Sequence, residues 1–124
     1  KFIEHRQLLT KRYQKTLKSL PIDFQQLSAN SLSAAHLFSI KLHLDDVGKD
    51  RVQIVNELKE KGVGTNVHYI PIHTHPFYRS RGFGDGDFPN AEYYYSCALT
   101  IPLFHGMTTS QQDTVIESLS EVLL

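Results

Sequence analysis

Residues 38–62 read FSIKLHLDDVGKDRVQIVNELKEKG, and the patterning of this stretch decides the fold class. Phe38, Ile40, Leu42 and Leu44 alternate with Ser39, Lys41, His43 and Asp45, the period of two that gives a strand one apolar and one wet face. A turn around Asp46, Val47 and Gly48 leads into a helix whose apolar stripe is Val52, Val55 and Leu58. Gly62 follows Lys59 and Lys61 and stops that helix, because glycine accepts the left-handed conformation that ends a last turn. Residues 63–70, VGTNVHYI, read as a second strand. Strand, helix and strand in close succession fit an α/β layer in which the helix covers one sheet face.

On the N-terminal side, Phe2, Leu9, Tyr13, Leu17 and Leu20 recur at helical spacings among Lys, Arg, Gln and Thr, which predicts an amphipathic helix ended by Pro21. Residues 22–35 carry no strong period and predict a loop with a short strand. On the C-terminal side, Pro71–Phe88 is rich in proline, glycine, histidine and aromatic residues. It reads as a long loop, a feature that in compact domains is often functional. Pro89 suits a first helical turn, with Ala91, Tyr94, Tyr95 and Ala98 as a short apolar face. Leu99–Leu103 resembles a brief strand that Pro102 confines to an edge or an end. Thr108 and Gln111 have the form of a capping box, and Val115, Ile116, Leu119, Val122 and Leu123 form the stripe of a last helix. The expected fold class is therefore α/β (α+β), a small mixed or antiparallel sheet flanked by helices.

The chain has 124 residues, 13 basic and 13 acidic, with 40% hydrophobic and 21% charged content, which is one ordinary globular domain spanning 1–124. A zero net charge without a basic run provides no electrostatic footprint for nucleic acid. No stretch approaches the roughly 20 apolar residues that cross a bilayer. The single cysteine, Cys97, cannot form an intrachain disulfide, so a reducing, cytoplasmic setting is expected. The opening KFIEHRQLL is already in helical rhythm with no capping residue ahead of it, which reads as a piece of something longer.

Seven histidines invite a metal reading, since His73 and His75 would share one side of an extended segment and His68 would add a third nitrogen to an open zinc-type site. Against it stand the two flanking prolines, and His75 reads as solvent-facing. Cys97 sits at helical spacing among Tyr94, Ala98 and Leu99 and reads as a small buried hydrophobe. GFGDG at 82–86 lacks the Lys-Ser/Thr pair of a phosphate loop, and Asp85 and Asp87 repel phosphate. Tyr93–Tyr95 place at least one ring in the core and another on a surface. Lys41 falls on the wet face of its strand, a solvated lysine and not a Schiff-base amine. No complete catalytic set is present.

The run GVGTNVHYIPIHTHPFYR at 62–79, then GF, GDFPNAEYYY and LTIPLFHGMT, resembles the C-terminal small domain of the DegT/DnrJ/StrS family of sugar aminotransferases, most closely the members that aminate a UDP-4-keto-6-deoxy-N-acetylhexosamine in pseudaminic acid and related glycan pathways. The opening helix with Arg6 and Tyr13, the HLFSIKL strand and the MTTSQQDTVIESL helix fit that pattern in order. The resemblance implies a fold like the C-terminal domain of fold type I transferases, with pyridoxal phosphate and its lysine in a large domain outside this chain, so that this piece alone is inactive. It implies transfer of an amino group from L-glutamate to a keto sugar nucleotide, and a homodimer. The family's HY-x-P-x-H pattern falls on His68, Tyr69, Pro71 and His73. His68, Tyr69, His73, Tyr78 and Arg79 become the expected substrate-binding residues. A free-standing binding or dimerisation module is the alternative, with the histidine cluster as its metal-binding form.

Overall fold

The computed structural model describes residues 1–28 and 30–124. Along the chain come α1 (Phe2–Thr16), β1 (Ile22–Phe24), β2 (Phe38–Leu42), α2 (Leu44–Val47), α3 (Arg51–Glu60), a 3-10 turn (Ile72–Thr74), α4 (Pro76–Arg79), α5 (Pro89–Cys97), β3 (Ala98–Ile101) and α6 (Thr109–Leu123). The strands form an antiparallel sheet in the order β1-β2-β3. This is the expected small sheet flanked by helices.

The alternation read in β2 sets the layers. Phe38, Ile40 and Leu42 are buried on one face with Ile22, Leu99 and Ile101. Against them lie Leu9 and Tyr13 of α1, Ile54 and Leu58 of α3, and Val115, Leu119 and Val122 of α6. Each such side chain contributes roughly 1.5–3 kcal/mol by leaving water. Both capping boxes close: Asp50 accepts from the Gln53 amide at the start of α3, and Thr108 from the Gln111 amide at the start of α6. At the other end of α6, the Lys49 ammonium donates to Glu57 (2.7 Å) and to the Val122 carbonyl (2.9 Å), joining α3 to the last turn. Such a cation is favoured there by the helix dipole.

Several expectations are corrected. The first helix ends at Thr16, not at Pro21. Leu17 and Leu20 are buried from a turn beyond it, because Pro21 pushes the preceding residue out of helical conformation. Leu44 leaves the strand and starts α2, which the left-handed Gly48 (φ +68°) closes. Val52 is 64% exposed, and the buried stripe of α3 is Ile54 and Leu58, four residues apart. Residues 63–70 form no strand; one bridge pairs Asn66 with Thr100. Gly64 and the Asn66 side chain, which takes the Val67 amide, favour a turn over a ladder. None of Tyr93–Tyr95 is buried, and Ala91 is exposed, so α5 enters the core through Cys97 alone.

Tyr13 is fully buried, and its hydroxyl donates to the Pro102 carbonyl at 2.9 Å, tying α1 to the end of β3. Burial pushes its phenol pKa strongly upward. Tyr13→Phe keeps the ring and strands that carbonyl, so stability should fall by about 1–2 kcal/mol. Urea unfolding checks this; an unchanged midpoint contradicts it.

Candidate functional site

The second face of the sheet is polar. Antiparallel register sets Asp23 opposite Lys41 and Ser39 opposite Thr100, and side chains of paired residues share one face. Lys41 binds Asp23 at 2.8 Å, His43 reaches the same carboxylate at 3.1 Å, and Ser39 Oγ lies 2.8 Å from Thr100 Oγ1. The Lys41 and His43 hydrogen bonds hold the Asp23 carboxyl below its ordinary pKa, and the carboxylate in turn raises that of Lys41.

The segment after α3 crosses this face. Asn66 exchanges two backbone hydrogen bonds with Thr100, at 3.0 and 2.7 Å. His68, half-buried, brings Nδ1 to 2.9 Å from Thr100 Oγ1. Tyr69 follows, 71% exposed, its ring edge-on to His68 at 4.6 Å. His68, Tyr69, Tyr94, Lys41, Ser39 and Asp23 are among the residues that line a cavity of about 550 Å³. His68 and Tyr69 therefore stand where an oxygen-rich ligand would find donors and aromatic surface, although the bridge at Asn66, not a strand end, puts them there.

Pro71–Phe88 is ordered, and its organiser is Glu92 on α5. One carboxylate accepts from His73 Nε2 (2.8 Å), from the Gly86 amide at both oxygens (2.8 and 3.0 Å) and from the Phe88 amide (3.4 Å). These bonds, with that from His73 foremost, lower the Glu92 pKa. His73 is only 7% exposed and packs on Phe88. Pro71, Ile72, His73, Tyr78, Phe83 and Phe88 surround a second, mostly apolar hollow of about 350 Å³. Tyr78 and Arg79 share α4; Arg79 donates to the Thr74 carbonyl (2.8 Å) and pairs with Asp85 (2.5 Å). His75 is exposed, as expected.

Of the five expected site residues, His68 and Tyr69 line one hollow, His73 and Tyr78 the other, and Arg79 stands outside both. The sequence reading missed Ser39, Thr100 and Glu92. Cross-strand alternation was the available signal for the first two; Glu92 had none, since its partners lie in an aperiodic segment. Among the described residues no three His, Cys, Asp or Glu side chains converge to hold a metal. His68 is taken by Thr100 and His73 by Glu92.

Pyridoxal phosphate needs an amine that gives up its proton readily. Lys41 lines the larger cavity, but its Asp23 partner raises its pKa, the opposite of that need. Lys49 and Lys61 are paired with Glu57 and Glu121, and Lys1, Lys11, Lys15, Lys18 and Lys59 are on the surface. These residues do not fit a site that anchors the cofactor. Burial pushes the Cys97 thiol pKa up, so the thiol is a packed hydrophobe and no nucleophile. No described helix is long and apolar enough to cross a membrane.

A depressed carboxyl pKa stabilises the fold above the ordinary carboxylate range, and that contribution is lost as pH falls through the lowered value. Hydrogen-exchange protection of the Gly86 and Phe88 amides should therefore vanish in acid before the core opens, and Glu92→Ala should remove it at neutral pH as well. Protection that persists in Glu92→Ala contradicts the anchor.

The model of the DegT/DnrJ/EryC1/StrS aminotransferase family matches residues 1–120. The spore coat polysaccharide biosynthesis protein SpsC of Bacillus subtilis is 31% identical over 123 residues, which is 97% of this chain and 32% of SpsC. In fold, the chain superposes on S. venezuelae DesV, solved in complex with a ketimine intermediate, with TM-score 0.86 at 24% identity, covering 97% of this chain and 31% of DesV. Helicobacter pylori PseC, an aminotransferase of pseudoaminic acid biosynthesis, gives 0.84 at 20% identity, covering 98% of this chain and 33% of PseC. The chain spans about a quarter to a third of the length of the curated relatives it matches. With residues 1–120 matched end to end, the chain belongs to the DegT/DnrJ/EryC1/StrS aminotransferase family.

Proposed function

We propose that this chain is the small domain of a pyridoxal-phosphate-dependent sugar aminotransferase, and that it forms the sugar-side wall of the active site. The observation that carries this reading is the family match over residues 1–120 together with a cavity on the outer face of the sheet lined by His68 and Tyr69, the first two residues of the HY-x-P-x-H run. The enzyme moves an amino group from L-glutamate to the ketone of a nucleotide-linked sugar, works as a homodimer in the cytoplasm, and serves surface polysaccharide synthesis. The name of SpsC supports that pathway class, and the resemblance of residues 62–107 makes a UDP-4-keto-6-deoxy-N-acetylhexosamine the first substrate to try.

The bound cofactor supplies an electron sink for exchanging amine and ketone. This domain's residues bind and orient. His68 and Tyr69 offer an imidazole and a phenol to the hydroxyl and phosphate oxygens of the sugar nucleotide. Tyr78 provides a ring edge beside the second hollow, while Arg79, outside both hollows and paired with Asp85, braces α4 through the Thr74 carbonyl. His73 acts from beneath, fixing through Glu92 the segment that carries the other two. The exposed Tyr69, Ile72 and Phe77 fit packing against the rest of the enzyme.

In the full-length protein, His68→Ala should raise KM for the UDP-4-keto sugar about tenfold, the loss of one well-placed hydrogen bond, while the pyridoxal absorbance persists. His73→Ala should also weaken turnover with that absorbance intact. Steady-state kinetics with L-glutamate as donor reads both. Wild-type kinetics in both variants removes these residues from the site, and a full-length protein that never takes up pyridoxal phosphate removes the whole reading.

A further inference from the structure

We infer that Thr100, backed by Ser39, is the positioning residue that holds the Nδ1 edge of His68 so that Nε2 meets the sugar nucleotide as a hydrogen-bond donor. This rests on the function proposed above and names the group that makes His68 fit for it. Thr100 grips the 66–68 segment three times. Its carbonyl accepts from the Asn66 amide (3.0 Å), its amide donates to the Asn66 carbonyl (2.7 Å), and its hydroxyl lies 2.9 Å from His68 Nδ1. The residue is only 8% exposed, so water competes poorly for that hydroxyl. Its position relative to Ser39 is fixed by the β2–β3 register.

The proton order along the chain sets the tautomer. A hydroxyl has one proton to give, and Thr100 Oγ1 has two neighbours, Ser39 Oγ at 2.8 Å and His68 Nδ1 at 2.9 Å. Ser39 Oγ has no other protein partner among the described residues, and the proposed order has it donate to Thr100. The Thr100 proton then goes to Nδ1, and the ring proton sits on Nε2, which has no protein partner among the described residues. An N–H donor is what phosphate, hydroxyl and carbonyl oxygens require. Asp23, the one acid lining the same cavity, is occupied by Lys41 and His43, which leaves the imidazole free to face a ligand beside the Tyr69 phenol.

The test uses the full-length enzyme loaded with pyridoxal phosphate, with a UDP-4-keto-6-deoxy-N-acetylhexosamine as the probe and L-glutamate as donor. Thr100→Val keeps the shape and loses the hydroxyl, and it should raise KM for the keto sugar about fivefold to tenfold, with KM for glutamate unmoved. Thr100→Ser should restore the wild-type value, and adding Thr100→Val to His68→Ala should cost nothing more. Ser39→Ala, a half-exposed site that tolerates truncation, should raise the same KM about twofold. A wild-type KM in Thr100→Val beside a raised one in His68→Ala overturns the positioning role and leaves the proposed function standing. A wild-type KM in His68→Ala overturns both this inference and the assignment of His68. A defect that Thr100→Ser does not repair also overturns it. Should Thr100→Val not fold, Ser39→Ala decides: an unchanged KM is a refutation.

Discussion

The two faces of β2 constrain everything else in this molecule. Phe38, Ile40 and Leu42 must leave water together, and the helices α1, α3 and α6 supply the surface they leave it for. A slip of one residue in pairing would turn all three to solvent and bury Ser39 and Lys41 instead. The hydrophobic contacts on the inner face therefore fix the register, and the register alone decides which polar groups meet on the outer face. Asp23 meets Lys41 and Ser39 meets Thr100 because Ile40 packs against Leu99 and the core beneath. The polar floor of the candidate site is thus a consequence of core packing.

Above that face the chain is held by backbone and carboxylate. The Asn66–Thr100 bridge brings His68 across the sheet, and Glu92 gathers His73, Gly86 and Phe88 around one charge. The arrangement leaves rings exposed on one continuous stretch of sequence while their supports are buried. Tyr69 and Phe77 face outward, and Thr100 and His73 do not. Exposed rings over buried polar supports suit a surface that receives a ligand or another domain, since the supports resist deformation when the rings are covered.

The strongly periodic parts of the fold were legible from residues alone. The alternation at 38–42, the capping box at Thr108 and the stripe from Val115 to Leu123 all rest on burial that repeats at a fixed spacing, and the structure has them where the pattern puts them. The errors came where a local preference met a tertiary one. Val52 fits a helical stripe, but α3 packs on α6 through Ile54 and Leu58, leaving Val52 wet. VGTNVHYI has strand-forming residues, yet it meets the open edge of β3 only at Asn66, because Gly64 and the Asn66 side chain turn the chain away. The tyrosine triplet stays at the surface because Cys97 and Ala98 already fill the place where α5 meets the sheet. In the site, the histidines were visible by chemistry and the family pattern, while their partners were not. Thr100 and Glu92 lie 32 and 19 residues from the rings they hold, and no periodicity reaches across such a gap.

The chain's own lysines are ion-paired or exposed, which suits the proposed role of this domain in recognition. The most direct measurement is a crystal structure of the full-length protein, loaded with cofactor, in complex with a UDP-linked keto sugar. The account predicts the sugar nucleotide against the outer face of the sheet, with an oxygen within hydrogen-bond distance of His68 Nε2 and Nδ1 still on Thr100. A ligand bound elsewhere, with His68 facing bulk water or packed against protein alone, contradicts it.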